Sequence, residues 1–149
     1  VVVLAAAARD FPHGVAEQLA VASDTERTEA ERLAALQVCM FAPGNDASVW
    51  LSGWHPQWRT AYRQASAWPP QDQWYGTTNA PLLDVQGDQD VWRPPHTRQA
   101  LTAVLGHKAH AVLVPNAGHA MVPEQPEAVA QTVLGWMRTH GLWAHHPTE

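Results

Sequence analysis

The chain has 149 residues, with 9 Lys and Arg against 14 Asp and Glu, a formal charge of −5, 46% hydrophobic and 15% charged residues. This is too apolar for a disordered tail and not basic enough to point to nucleic acid or an anionic membrane as partner. A single cysteine, Cys39, excludes an internal disulfide framework and any Cys-based zinc site.

The longest apolar run, VVVLAAAA at residues 1–8, falls far short of the roughly 20 residues of a membrane helix. No basic segment precedes it, so it does not read as a signal peptide, and the cytoplasm is the expected compartment. An apolar run without alternation fits a strand buried on both faces of a parallel sheet, reaching about Ala6. The competing reading is the start of a helix, since alanine is the best helix former. The run has no initiator Met before it, so the chain is expected to be a piece of something longer.

Residues 9–22 give mixed signals. Ser23-Asp24-Thr25-Glu26 has the form of a capping box, and the helix expected after it carries Ala30, Leu33, Leu36 and Met40 at spacings of three or four, stopping before Pro43-Gly44. Asn45 or Asp46 can cap a short helix ending at Ser52, with Gly53 as its stop. His55-Pro56 opens another, whose face Trp58, Ala61, Tyr62 and Ala65 has amphipathic spacing. Trp68-Pro69-Pro70 ends it. Cys39 sits mid-helix with no glycine nearby and reads as buried structure.

The character changes at Ala80. Residues 81–86 read as a strand closed by Gly87, 96–106 as a helix with Leu101, Val104 and Leu105 inward, and 111–114 as a second buried strand. Asn116 to His119 is a turn, and 123–140 a helix with Val129, Val133 and Met137 on one face. Strand, helix, strand, helix at this spacing means a βαβ unit in a parallel sheet. Residues 141–149 read as a polar tail.

Functional groups gather at the C-terminal ends of strands in open α/β sheets. Here those ends carry Gly87-Asp88-Gln89-Asp90 and Gly118-His119. Either alone is a common turn or loop histidine. Together, on consecutive strands, an acid and an imidazole would face each other, which is the supporting half of a nucleophile–His–acid triad. Asp84 points from mid-strand, and Asp88 is expected to stabilise its turn.

The residues APLLDVQGDQD (80–90), Pro94-Pro95 and VPNAGHAMVPEQPEAV (114–129) give the stretch from Ala80 to His140 a form that resembles the C-terminal end of the α/β-hydrolase fold. The fold class is therefore expected to be α/β: about three parallel strands with helices, plus a helical cap insertion. The resemblance implies a core strand at 1–9, a cap at 10–76, the C-terminal part of the hydrolase core at 77–141 and a tail at 142–149. It also implies Asp90 as the triad acid and His119 as the base. Some members place the acid after the earlier strand, where Asp10 stands, outside any recognisable motif.

The family nucleophile sits in a G-x-S-x-G elbow. None of Ser23, Ser48, Ser52 and Ser66 lies in that pattern, so the elbow and the oxyanion-hole loop are expected upstream of Val1. The expected activity is cofactor-free hydrolysis of a small apolar ester, with amide, lactone or carbon–halogen substrates as variants. This chain alone would be inactive without its partner, the N-terminal half of the core. The alternative is a non-catalytic relative or split product acting as a binding module.

Eight of the twelve aromatic residues are Trp, five of them in the stretch assigned to the cap. Most are expected to be packing, with Trp50 and Trp54 at a substrate pocket and Trp92, two residues past Asp90, either lining that pocket or packing its loop. The nine histidines lack clustered carboxylate or thiol partners in sequence, so no metal is expected.

Overall fold

A computed structural model describes residues 1–6, 12–70, 73 and 76–142. Asp10, Trp74, Trp143 and the end of the tail lie outside the described residues, as do positions 7 and 8 of the first apolar run.

Three strands, β1 (Val2–Leu4), β2 (Leu82–Gly87) and β3 (Ala109–Val114), form one parallel sheet in the order β1-β2-β3. Val3 pairs with Asp84, and Asp84 with Ala111. β2 is central and every residue in it is buried. One of its faces, Leu83 and Val85, packs with Val114, Met121, Val129 and Trp136. These come from β3, the one-turn helix α5 (Met121–Glu124) and the long α6 (Pro126–Thr139). On the other face Leu82 meets Leu101 and Leu105 of α4 (Ala100–Leu105), while Asp84 and Gln86 alternate onto that same side.

The expected elements shift in detail. β1 is shorter than the apolar run, is not buried on both faces, and pairs with β2 alone among the described strands. Val2 and Leu4 are exposed, and Ala5 turns the chain at φ 51°. β3 begins at Ala109 rather than 111. The helix expected at 96–106 is a 3-10 turn at Pro95–Thr97 followed by α4, and Val104 faces outward, 58% exposed. The final helix is split before Pro126, which lacks an N–H and sits at the first turn of α6.

Between β1 and β2 lie α1 (Val15–Ala22), α2 (Glu29–Cys39) and α3 (Arg59–Ser66), joined by 3-10 turns at Ala47–Trp50 and Pro56–Trp58. The capping box forms at Thr28–Glu31, not at Ser23–Glu26: Thr28 Oγ1 accepts from the Glu31 N–H and Glu31 accepts from the Thr28 N–H. Ser23 instead follows the last turn of α1, donating to the Ala20 carbonyl. The buried face of α2 is Arg32, Ala35, Leu36 and Cys39, with Ala30 exposed. Arg32 is buried because its guanidinium donates to the Ala22 and Leu51 carbonyls, which fixes the end of α1 against the 47–51 turn. Asp46 caps that turn through the Ser48 N–H. The expected apolar stripe of α3 is not covered by any described element: Trp58 is 65% and Tyr62 74% exposed. No helix among the described residues is long and apolar enough to cross a membrane.

Candidate active site

Two glycines bring three backbone segments into contact. A Cβ on Gly87, at the end of β2, would lie 2.3 Å from the carbonyl oxygens of Ala117 and Gly118. A Cβ on Gly118 would lie 2.7 Å from the Met40 oxygen and 2.8 Å from the Ala42 nitrogen. Only glycine lets the acid loop, the histidine turn and the end of α2 approach so closely. The Ala120 N–H donates to the Met40 carbonyl at 2.8 Å, and Asn116 holds the turn with φ 60°.

Glu124 secures this junction. Its Oε1 accepts from the Ala42 N–H at 2.6 Å and from Asn45 at 2.8 Å, while Oε2 accepts from the Gly118 N–H at 2.7 Å. The acid loop is held to the same turn: Asp88 accepts from the Ala117 N–H, and the Gln89 N–H donates to the Ala117 carbonyl.

Asp90 and His119 meet at this junction, with Oδ2 2.9 Å from Nδ1. The Asp90 side chain is fully buried and that of His119 is 19% exposed. A carboxylate only accepts, so Nδ1 is the donor to Asp90, and in the neutral imidazole this leaves the lone pair on Nε2. Among the described residues no group is hydrogen-bonded to Nε2. The other Asp90 oxygen accepts from the Trp92 N–H at 2.8 Å, so both carboxylate oxygens have partners. The Trp92 indole donates to the Cys39 carbonyl at 2.6 Å and lies 5.7 Å from the His119 ring. It therefore ties the acid loop to α2 beside the histidine.

Trp50 and Trp54 stand elsewhere. Trp54 donates to the Trp50 carbonyl at 2.5 Å and lines an apolar pocket of about 290 Å³ with Leu19, Pro56, Trp58 and Tyr62. Both indoles line a second pocket of about 270 Å³ beside Ser52 and Gly53. Neither pocket is lined by Asp90 or His119.

Among the described side chains no nucleophile stands against His119. Ser23, Ser48 and Ser52 make no hydrogen bond to His119. Cys39 is fully buried, and its burial pushes the thiol up to about 11, the opposite of what an attacking thiolate needs. Among the described residues no group of three His, Cys, Asp or Glu could hold a metal ion.

Behind the acid loop lies a buried ion pair with no apolar or motif signal in the sequence. Arg93, 1% exposed, donates to Asp84 Oδ2 at 2.7 Å. Gln86 donates to the same oxygen at 2.8 Å and to the Arg98 carbonyl at 2.9 Å. Burial pushes the Asp84 carboxyl up from its ordinary value, against the pull of Arg93 and Gln86.

A family model described as TAP-like protein matches residues 52–144. Solved structures share the architecture at low identity. A carboxylesterase from Bacillus subtilis, CesB, is 21% identical with a TM-score of 0.61 over 91% of this chain and 50% of its own. A putative non-heme bromoperoxidase, BpoC, from Mycobacterium tuberculosis H37Rv is 20% identical with a TM-score of 0.59, covering 96% and 58%. A thermophilic esterase from Thermogutta terrifontis is 22% identical with a TM-score of 0.54, covering 93% and 55%. The chain thus spans little more than half the length of these proteins. No curated protein sequence matches it.

Proposed function

Since the chain belongs to the TAP-like protein family, within the α/β-hydrolase fold, we propose that it supplies the histidine and the acid of a nucleophile–His–acid triad. The observation that carries this reading is the His119 Nδ1–Asp90 Oδ2 contact at 2.9 Å, with Nε2 left unpaired among the described residues. In this reading an upstream serine attacks an ester carbonyl while Nε2 of His119 takes its proton. His119 then returns that proton to the leaving alcohol and activates the water that releases the acid. Asp90 keeps the imidazole in the productive tautomer and stabilises its cation.

Residues 10–76 act as a cap over that site, and the N-terminal half of the core brings the nucleophile and the oxyanion donors. The substrate class in this reading, a small apolar ester, is carried over from the hydrolase resemblance; beside His119 itself stands the Trp92 indole. The test uses the protein with its upstream segment. It should label with a fluorophosphonate probe and cleave p-nitrophenyl butyrate. Asp90→Asn should lower kcat by about 10⁴-fold through the wrong tautomer, His119→Ala should abolish turnover, and residues 1–149 alone should be inactive. A protein carrying its upstream segment that neither labels nor cleaves aryl esters overturns the proposal.

A further inference from the structure

The loop that carries Asp90 is held from two sides. On the histidine side Asp88 and Gln89 bond to Val114 and Ala117, so this end moves with β3 and its turn. On the far side the loop closes with the Arg93 N–H donating to the Asp90 carbonyl at 3.1 Å, and the Arg93 side chain then runs into the interior to Asp84. Arg98 donates to the Asp88 carbonyl, and the Arg98 carbonyl accepts from Gln86. Asp84 and Gln86 stand two residues apart on β2, on one face of the most buried strand.

A buried ion pair is costly. Among the described residues Asp84 Oδ1, Gln86 Oε1 and Arg93 Nε are buried without a hydrogen-bond partner. An apolar pair of similar volume often serves stability equally well or better. What the ion pair provides that an apolar pair does not is direction. The charge-assisted bond at 2.7 Å fixes where the Arg93 backbone sits, and through its N–H fixes the Asp90 carbonyl.

We propose that Asp84 and Arg93, oriented by Gln86, are positioning residues for Asp90: they hold the acid loop so that Oδ2 faces Nδ1 of His119. This rests on the reading of Asp90 and His119 as a catalytic pair. Their role is placement, since neither Asp84 nor Arg93 is hydrogen-bonded to the imidazole.

The test uses the protein with its upstream segment and has two readouts. One is kcat and KM for p-nitrophenyl butyrate. The other is the low-field NMR resonance of the His119 Nδ1–H, assigned by its loss in His119→Ala. Asp84→Leu/Arg93→Met replaces the pair by apolar side chains. It should fold, lower kcat about 10- to 100-fold with KM within about twofold, and broaden or lose the low-field resonance. Arg93→Lys keeps the cation and should recover part of both. Gln86→Met leaves the ion pair in place and should shift both readouts in the same direction by less, so it decides the matter if the paired variant does not fold. A folded variant with wild-type kcat and an unchanged resonance overturns the inference while leaving the hydrolase reading intact. A wild-type protein without esterase activity, in which the resonance still depends on Asp84 and Arg93, overturns the hydrolase reading and leaves the positioning role standing.

Discussion

One carboxylate, that of Glu124, accepts from two backbone N–H groups and one side-chain amide drawn from separate parts of the chain. Hydrogen bonds to a charged acceptor are the stronger kind, and a donor left unpaired in a half-buried place loses both the bond and its water. Glu124→Ala should therefore cost about 2–4 kcal/mol in urea unfolding. Glu124→Gln has nearly the same shape but turns an NH₂ toward a donor, so it should destabilise more than Glu127→Gln at the exposed start of α6. Equal unfolding midpoints for those two Gln variants would remove Glu124 from this role. Both Glu124 and Gly118 stand within the stretch VPNAGHAMVPEQPEAV (114–129) that carries the family resemblance. Their shared purpose is not legible there, because it depends on Met40 to Ala42 lying against the turn. No local pattern in the 40–45 stretch announces that approach.

Elements were legible where one kind of force decided them. β2 and β3 stand between turn residues and form close to where they are expected, but β2 carries Asp84 and Gln86 into the interior, and β3 is only partly covered, with His110 and Leu113 exposed. α2 starts later than the capping pattern at Ser23–Glu26 predicts, because two neighbouring segments carry cap chemistry and only packing chooses between them. Asp24 accepts from the Glu26 N–H and makes a local turn, while Thr28 and Glu31 form the reciprocal box. Thr28→Ala should then cost about 1 kcal/mol, whereas Ser23→Ala should unfold at nearly the wild-type urea concentration. A loss at Ser23 as large as that at Thr28 would return the helix start to the earlier segment. The box also has a pH sense. Hydrogen bonds from Thr28 hold the Glu31 carboxyl below its ordinary 4.5, so its contribution is present above that pH and lost as pH falls through the lowered value. The difference between wild type and Thr28→Ala should shrink in acid. α3 shows the other limit of pattern reading: its Trp58–Tyr62 stripe has amphipathic spacing, yet periodicity carries no information on whether an element is there to cover it.

At the scale of the whole molecule, the sheet is asymmetric. β2 is paired on both sides, but among the described strands β1 pairs with β2 alone, its ladder flanked by the Leu83 N–H to the Val1 carbonyl and the Ala5 N–H to the Val85 carbonyl. Backbone direction alternates along a strand, so Val2 and Leu4 turn their N–H and C=O groups away from β2. Val1, Val2 and Leu4 are 55%, 37% and 40% exposed. An apolar strand with an open ladder is a template for another strand, and the solved relatives are nearly twice as long as this chain. In the proposed enzyme the upstream half of the core would pair there. The 149-residue chain by itself should consequently associate in a concentration-dependent way, read as rising mass in size-exclusion chromatography with light scattering. Leu4→Pro is the selective test. It removes an N–H that points away from β2, a position where an edge strand tolerates proline, and so blocks strand addition while leaving the β1–β2 bonds intact. The variant should keep the wild-type far-ultraviolet circular dichroism and shift toward monomer. Association that persists unchanged in a folded Leu4→Pro chain would place the contact elsewhere, with the exposed Trp58 and Tyr62 face of α3 as the next surface to alter.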